Sequence, residues 1–106
     1  MLKAINRLPV SQRLTQARNL RTPFFILKYQ LTASPLSRAG VVISKKVSPR
    51  ASKRNRLKRL VHTALAEALP IWKTPLDVLI ILQPAASSSS EETVMHSLKE
   101  SLAKLS

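Results

Sequence analysis

The stretch "DVLIILQP", residues 77–84, constrains the fold more than any other. Its apolar run, Val78 to Leu82, is nearly continuous and lies between Pro75 and Pro84. That pattern fits a strand buried on both faces. The run is far too short to cross a bilayer, which takes about 20 apolar residues in a helix. With 106 residues and 44 % apolar content, the chain is expected to form one globular domain, 1–106, with one modest core. There is no cysteine, hence no disulfide framework and no thiolate metal site, as suits a reducing cytoplasm. "MLKAINRLPV" lacks the apolar core of a secretory signal, and the whole chain is expected to be the mature protein.

Other elements follow from periodicity. "SQRLTQARNL", residues 11–20, reads as a short helix capped by Ser11, with Leu14, Ala17 and Leu20 on a thin apolar stripe. "FFILKYQL", residues 24–31, alternates as a strand does: Phe25, Leu27, Tyr29 and Leu31 toward the core, Phe24, Ile26, Lys28 and Gln30 on an open face. "RAGVVISKK", residues 38–46, repeats the pattern, with Ala39, Val41 and Ile43 inward and Gly40, Val42, Ser44 and Lys46 on the open face. Gly40 is the only glycine, read either as a close backbone approach or as a bulge.

A long helix should start near Pro49 to Ser52, with Ser48 as cap, and run to about Leu69 before Pro70 stops it. Leu57, Val61, Ala64, Leu65 and Ala68 form its buried stripe; Asn55, Arg59 and His62 line the opposite face. Ser89 and Glu92 have capping-box spacing ahead of a last helix whose apolar face is Met95, Leu98, Leu102 and Leu105. Trp72 and Tyr29 are read as packing residues. The order α-β-β-α-β-α implies a small α/β (α+β) two-layer sandwich with a mixed sheet, with room for one short extra strand near the N-terminus.

Charge is segregated. Residues 1–59 hold fifteen Lys or Arg and no acid, while residues 60–106 hold three Lys and five acids; the net charge is +13. A surface built only for solubility would mix the signs. A one-sided field attracts a polyanion, with nucleic acid as leading partner and an anionic membrane second. The cations crowd toward the start of the long helix, where each opposes the macrodipole by about 0.3–1 kcal/mol when exposed. That cost makes sense if phosphates neutralise the cluster, helped by free N–H groups at the helix start. Arg54, Arg56 and Arg59 fan around the helix with Asn55 between them. A helix reading DNA's major groove concentrates its polar readers on one face, so the fan suits a folded RNA instead. Asn55 fits either a base edge or a capping or helix-surface contact.

Taken together, "RAGVVISKKV", "KRNRLKRLVHTAL" and "DVLIILQP" resemble the protein subunit of bacterial ribonuclease P. The resemblance implies a left-handed β-α-β crossover through the long helix, where general rules favour the right-handed form. It implies partnership with a catalytic RNA that removes the 5′ leader of precursor tRNA, with no DNA or membrane partner. The RNA would lie against Lys45, Lys46, Lys53, Arg54, Asn55, Arg56, Lys58 and Arg59. A cleft for the single-stranded leader would be lined by Leu14, Ala17, Arg18, Phe24, Ile26, Lys28, Val42, Ser44 and Lys46. This chain has Leu14, Arg18 and Lys28 where the family usually places aromatic residues, so leader contact is expected to be weaker or more electrostatic.

No catalytic constellation of side chains is visible, and the acids are too few to hold two Mg²⁺ ions. On the resemblance, the RNA holds Mg²⁺ in the holoenzyme, the protein alone binds no cofactor, and no protein residue is catalytic. Three rival readings share some of these features. A ribosomal or other structural RNA-binding protein shares the charge but would not discriminate precursor from mature tRNA. A basic-helix DNA-binding factor needs dimer heptads or a helix-turn-helix partner. A protein-only nuclease needs an acidic metal cluster. The sequence shows neither of the last two features.

Overall fold

The computed structural model describes residues 17–32 and 35–105. Four strands, β1 (Arg18–Arg21), β2 (Phe25–Leu31), β3 (Arg38–Val42) and β4 (Leu76–Leu82), form one sheet in the order β1-β2-β4-β3. The apolar run of residues 78–82 therefore lies inside the sheet, but it is not buried on both faces as expected: Val78, Ile80 and Leu82 are buried, whereas Leu79 and Ile81 are half-buried because the helices pack against the other side. β4 pairs antiparallel with β2, from Phe25 opposite Leu82 to Leu31 opposite Leu76, and parallel with β3, from Arg38 opposite Asp77 to Val42 opposite Ile81. Parallel neighbours need a crossover. Helix α1 (Ala51–Ala68) and a single 3₁₀ turn (Leu69–Ile71) supply it. A one-turn helix α2 (Ala85–Ser88) and helix α3 (Glu91–Ala103) complete the described chain.

Register assigns the two faces of the sheet, because residues directly opposite share a side. Phe25 and Leu82, Leu27 and Ile80, and Tyr29 and Val78 lie on one side, joined by Leu20 from β1 and by Ala39 and Val41 from β3. Leu57, Val61 and Leu65 of α1 and Val94, Leu98 and Leu102 of α3 complete that core, each at most 1 % exposed. Trp72 packs at its margin and donates its indole N–H to the Leu102 carbonyl at 3.1 Å, which confirms a packing role.

The first helix expected at 11–20 is partly overturned. Residues 11–16 lie outside the described residues, but Arg18–Arg21 is a strand. The reason is the hairpin that follows. Thr22 N–H donates to the Phe25 carbonyl at 3.0 Å, and the Thr22 hydroxyl accepts from the amides of Phe24 and Phe25. Pro23 favours this turn, which folds β1 back on β2 and lays Leu20 beside Leu27. Tertiary pairing outweighs the weak helical preference of four residues.

Smaller corrections have local causes. Leu31 ends its strand 71 % exposed rather than in the core. β3 stops at Val42, so Ser44 and Lys46 leave the sheet; Ser44 opens a turn by accepting from Val47 N–H on its carbonyl and from Lys46 N–H on its hydroxyl. Arg50, not Ser48, stands at the start of α1, and the Ser48 hydroxyl accepts from the Arg50 amide instead. His62 is buried rather than on an exposed face. Ser90, not Ser89, caps α3 by accepting from Thr93 N–H at 3.2 Å, which puts Glu91 and Glu92 in its first turn.

Leu27 is fully buried where β1, β2 and β4 meet. Leu27→Ala should lower unfolding stability by about 2–5 kcal/mol, measured by urea denaturation.

Candidate nucleic-acid interface

The basic segment begins where β3 ends. Val47 is buried, and its carbonyl accepts from the Ser87 hydroxyl at 2.6 Å. This tie to α2 fixes the turn and leaves Lys45 and Lys46 exposed on it. Arg54 turns back and donates from Nη1 to the Ser48 carbonyl at 2.8 Å. It is half-buried and braces the entry to α1. Asn55, Lys58 and Arg59 are exposed on α1, and Lys53 is half-buried. Asn55 lies within the helix rather than at its cap, so of its structural readings only the helix-surface one remains.

The first turn of α1 has no acidic residue and no side-chain cap. The N-terminus of α3 lies beside it, because Arg56 pairs with Glu91 through Nε and Nη2, the second contact at 3.2 Å. Further along, Lys99 and Glu67 link the same two helices at 3.8 Å. Both N-termini thus open at one end of the molecule. Between them is an open recess of about 630 Å³ lined by Ser48, Arg50, Ser52, Lys53, Arg56, Ser87 and Glu91. Its positive field shows in the Glu91 carboxyl, which the Arg56 hydrogen bond chiefly, and the nearby Lys53 charge in part, hold below the usual carboxylate range. The same bond raises the Arg56 guanidinium pKa.

The second face of the sheet carries a different surface. Three rows cross it by register: Arg21, Ile26, Ile81 and Val42; Asn19, Lys28, Leu79 and Gly40; and Gln30, Asp77 and Arg38. The middle of the face is apolar and half-buried, with Lys28 among those residues. Gly40 puts no side chain on it. The last row is closed by a fork between Arg38 and the buried Asp77, Nε to Oδ1 at 3.0 Å and Nη2 to Oδ2 at 2.8 Å. That bond is the main reason the Arg38 pKa is raised.

Of the residues expected along the cleft, Ile26, Lys28 and Val42 share this second face. Phe24 sits in the hairpin turn just before β2, packed against the core margin. Arg18 pairs with Tyr29 and so belongs to the opposite side; Ala17 precedes β1. Ser44 lies in the turn after β3, and Leu14 is outside the described residues. Asn19 and Arg21, taken by sequence for helical residues, join the second face of the sheet through register. Arg50, Ser87 and Glu91 were also missed at the recess. Only Arg50 left a signal, as one more cation in the basic run.

These features define a class: a small basic α/β sandwich with a β-α-β crossover and its cations gathered at the start of the crossing helix. The chain belongs to the Ribonuclease P family, whose family model matches residues 11–106. It is 41 % identical over 68 residues to the ribonuclease P protein component of Microcystis aeruginosa, covering 64 % of this chain and 57 % of that one. It is 46 % identical over 59 residues to that of Synechococcus, covering 55 % and 46 %. The matched stretch thus spans about half the length of these relatives. The fold is similar to the RNase P protein of Thermotoga maritima, with a TM-score of 0.79 at 21 % identity over 94 % of this chain and 97 % of that one. It is likewise similar to that of Staphylococcus aureus, with 0.72 at 19 % identity over 99 % and 94 %.

Because the folded Glu91 carboxyl titrates below its unfolded value, the Arg56 contact favours folding above the unfolded pKa and is lost as pH falls through the folded one. Carboxyl-detected NMR titration should find Glu91 below an ordinary glutamate, and Arg56→Ala should raise it.

Proposed function

We propose that this chain acts as the protein component of bacterial ribonuclease P, binding the catalytic RNA and assisting removal of the 5′ leader from precursor tRNA in the cytoplasm. The observation that carries this reading is the start of α1. Exposed Lys45, Lys46 and Arg50 lead into a helix N-terminus that has neither acid nor side-chain cap of its own, and exposed Lys58 and Arg59 follow two turns further along α1. Such an end attracts phosphate both by charge and by its free N–H groups.

The chemistry would belong to the RNA. Among the described residues no group of three or more His, Asp or Glu could hold a metal ion. Asp77 is held by Arg38 and Glu91 by Arg56. The described residues do not fit a protein-held Mg²⁺, and we assign Mg²⁺ to the RNA of the holoenzyme. The protein's part is then to screen phosphates, so that RNA and substrate approach at lower Mg²⁺. Among the described residues no helix is long and apolar enough to cross a membrane.

Leader binding would use the second sheet face. Ile26, Val42, Leu79 and Ile81 offer apolar contact for bases, and Lys28 and Arg21 offer charge for the backbone. With no aromatic residue in those three rows, base stacking contributes less and phosphate contact more.

Reconstitution with a bacterial ribonuclease P RNA tests the reading. The protein should lower the Mg²⁺ requirement for cleavage and tighten binding of precursor over mature tRNA. Arg59→Ala and Lys58→Ala should each weaken RNA binding and flatten the slope of log K against log salt by about 0.7–0.9. Arg54→Ala is a poorer probe, since it also removes the brace on Ser48. Equal affinity for precursor and mature tRNA would favour a structural RNA-binding protein instead. Cleavage by the chain without RNA would overturn the proposal.

A further inference from the structure

Arg56 points toward solvent from the RNA-facing end of α1, with its side chain 71 % exposed, yet it is not a free cation. Glu91 takes its guanidinium in a two-point fork, through Nε and Nη2. This is the geometry in which arginine also takes a phosphate. Glu91 stands in the recess lined by Arg50, Lys53 and Arg56, where the positive field draws in anions.

The pair is not needed to hold α3 in place. Val94, Leu98 and Leu102 anchor that helix in the core, and Lys99 with Glu67 spans the same two helices further along. The Glu91 side chain can therefore swing away without moving its helix. Its side chain is 38 % exposed, and exposed ion pairs exchange at little cost.

We infer that Glu91 is an intramolecular competitor for RNA at Arg56: its carboxylate occupies the edge of the guanidinium that a phosphate would take, and RNA docking displaces it. The inference rests on the function proposed above. It makes Arg56 a conditional contact, engaged only by an RNA that delivers a phosphate able to replace the carboxylate. Lys58 and Arg59 have no such acid among the ion pairs of the described residues and attract any polyanion. A built-in repulsive element of this kind raises selectivity.

The test measures the Kd for a bacterial ribonuclease P RNA at fixed Mg²⁺ and 0.1 M salt. Glu91→Gln keeps the shape and removes the charge. It should tighten binding about two- to fivefold, as expected for release of an exposed ion pair. Arg56→Ala should then cost more in the Glu91→Gln background than in the wild type. Glu92→Gln, which removes the same charge one residue away, should tighten binding less. Unchanged or weaker binding by Glu91→Gln, or an equal gain from Glu92→Gln, overturns the inference. If Glu91→Gln does not fold by circular dichroism, single substitutions decide. Arg56→Ala should then cost less than Arg59→Ala in the wild type, and an equal or greater cost overturns the inference. If wild type itself does not bind the RNA, the functional reading falls and this one with it; if it binds and Glu91→Gln gains nothing, only this one falls.

Discussion

Strand β4 hydrogen-bonds on both sides, antiparallel to β2 and parallel to β3, and the parallel pair obliges α1 to cross the sheet. The crossing sets where the basic segment goes. Residues 43–50 join the end of β3 to the start of α1, so they gather at the end of the sheet where β3 finishes. After β4, α2 and the short link through Ser89 and Ser90 bring the start of α3 to the same end. The ion pairs Arg56 with Glu91 and Lys99 with Glu67 show the two helices running side by side in the same direction. A single pairing pattern thus places two helix N-termini, and eight of the chain's eighteen Lys and Arg residues, in one region.

Electrostatics works against that arrangement in the free protein. Helix α1 begins with basic residues where acids would be favourable, and no side chain caps it. It persists because packing holds it. Leu57, Val61 and Leu65 are essentially fully buried, and amphipathic burial outweighs terminal effects of about 0.3–1 kcal/mol each. The protein offsets part of the repulsion locally: Arg56 pairs with the Glu91 carboxylate, while Arg54 is turned back onto the Ser48 carbonyl, which fixes its position without cancelling its charge. What remains exposed with no acid among the ion pairs of the described residues is Lys45, Lys46, Arg50, Lys58 and Arg59, with Lys53 half-buried beside Glu91. They form the most available part of the field, and the contrast with Arg54 and Arg56 cannot be seen without coordinates.

Elements defined by short-range pattern were legible in the sequence. The alternation at Phe25 and Leu27 and the stripe Leu57, Val61, Ala64 and Leu65 each match a buried face, and the apolar run of residues 78–82 is an inner strand, though only one of its faces is buried. The second face of the sheet was half legible. Alternation put Ile26, Lys28 and Val42 together, but only pairing register adds Arg21 and Asn19 to their rows. The β1 hairpin was missed because its signal lies in Thr22 and Pro23, not in the four residues it recruits. The cap of α3 slipped by one because residues 87–90 are all serine and equally able to cap. Long-range polar ties were not legible at all: Asp77 lies 39 residues from Arg38, and Glu91 lies 35 from Arg56.

The two forked arginine pairs show what such ties do in a chain this basic. Asp77 is 2 % exposed within the central strand, where an unpaired carboxylate would be costly; Arg38 satisfies both of its oxygens and keeps the end of the sheet's second face closed. Glu91 is much more exposed and meets its arginine at a helix terminus already favourable to negative charge. One bond therefore completes a folded surface, and the other occupies a surface that can be vacated. The difference follows from desolvation. A buried pair broken on one side leaves a charge stranded away from water, while an exposed pair broken on one side leaves both partners hydrated. Exchange with an incoming phosphate is accordingly suited to Arg56 and not to Arg38, although both use the same two nitrogens.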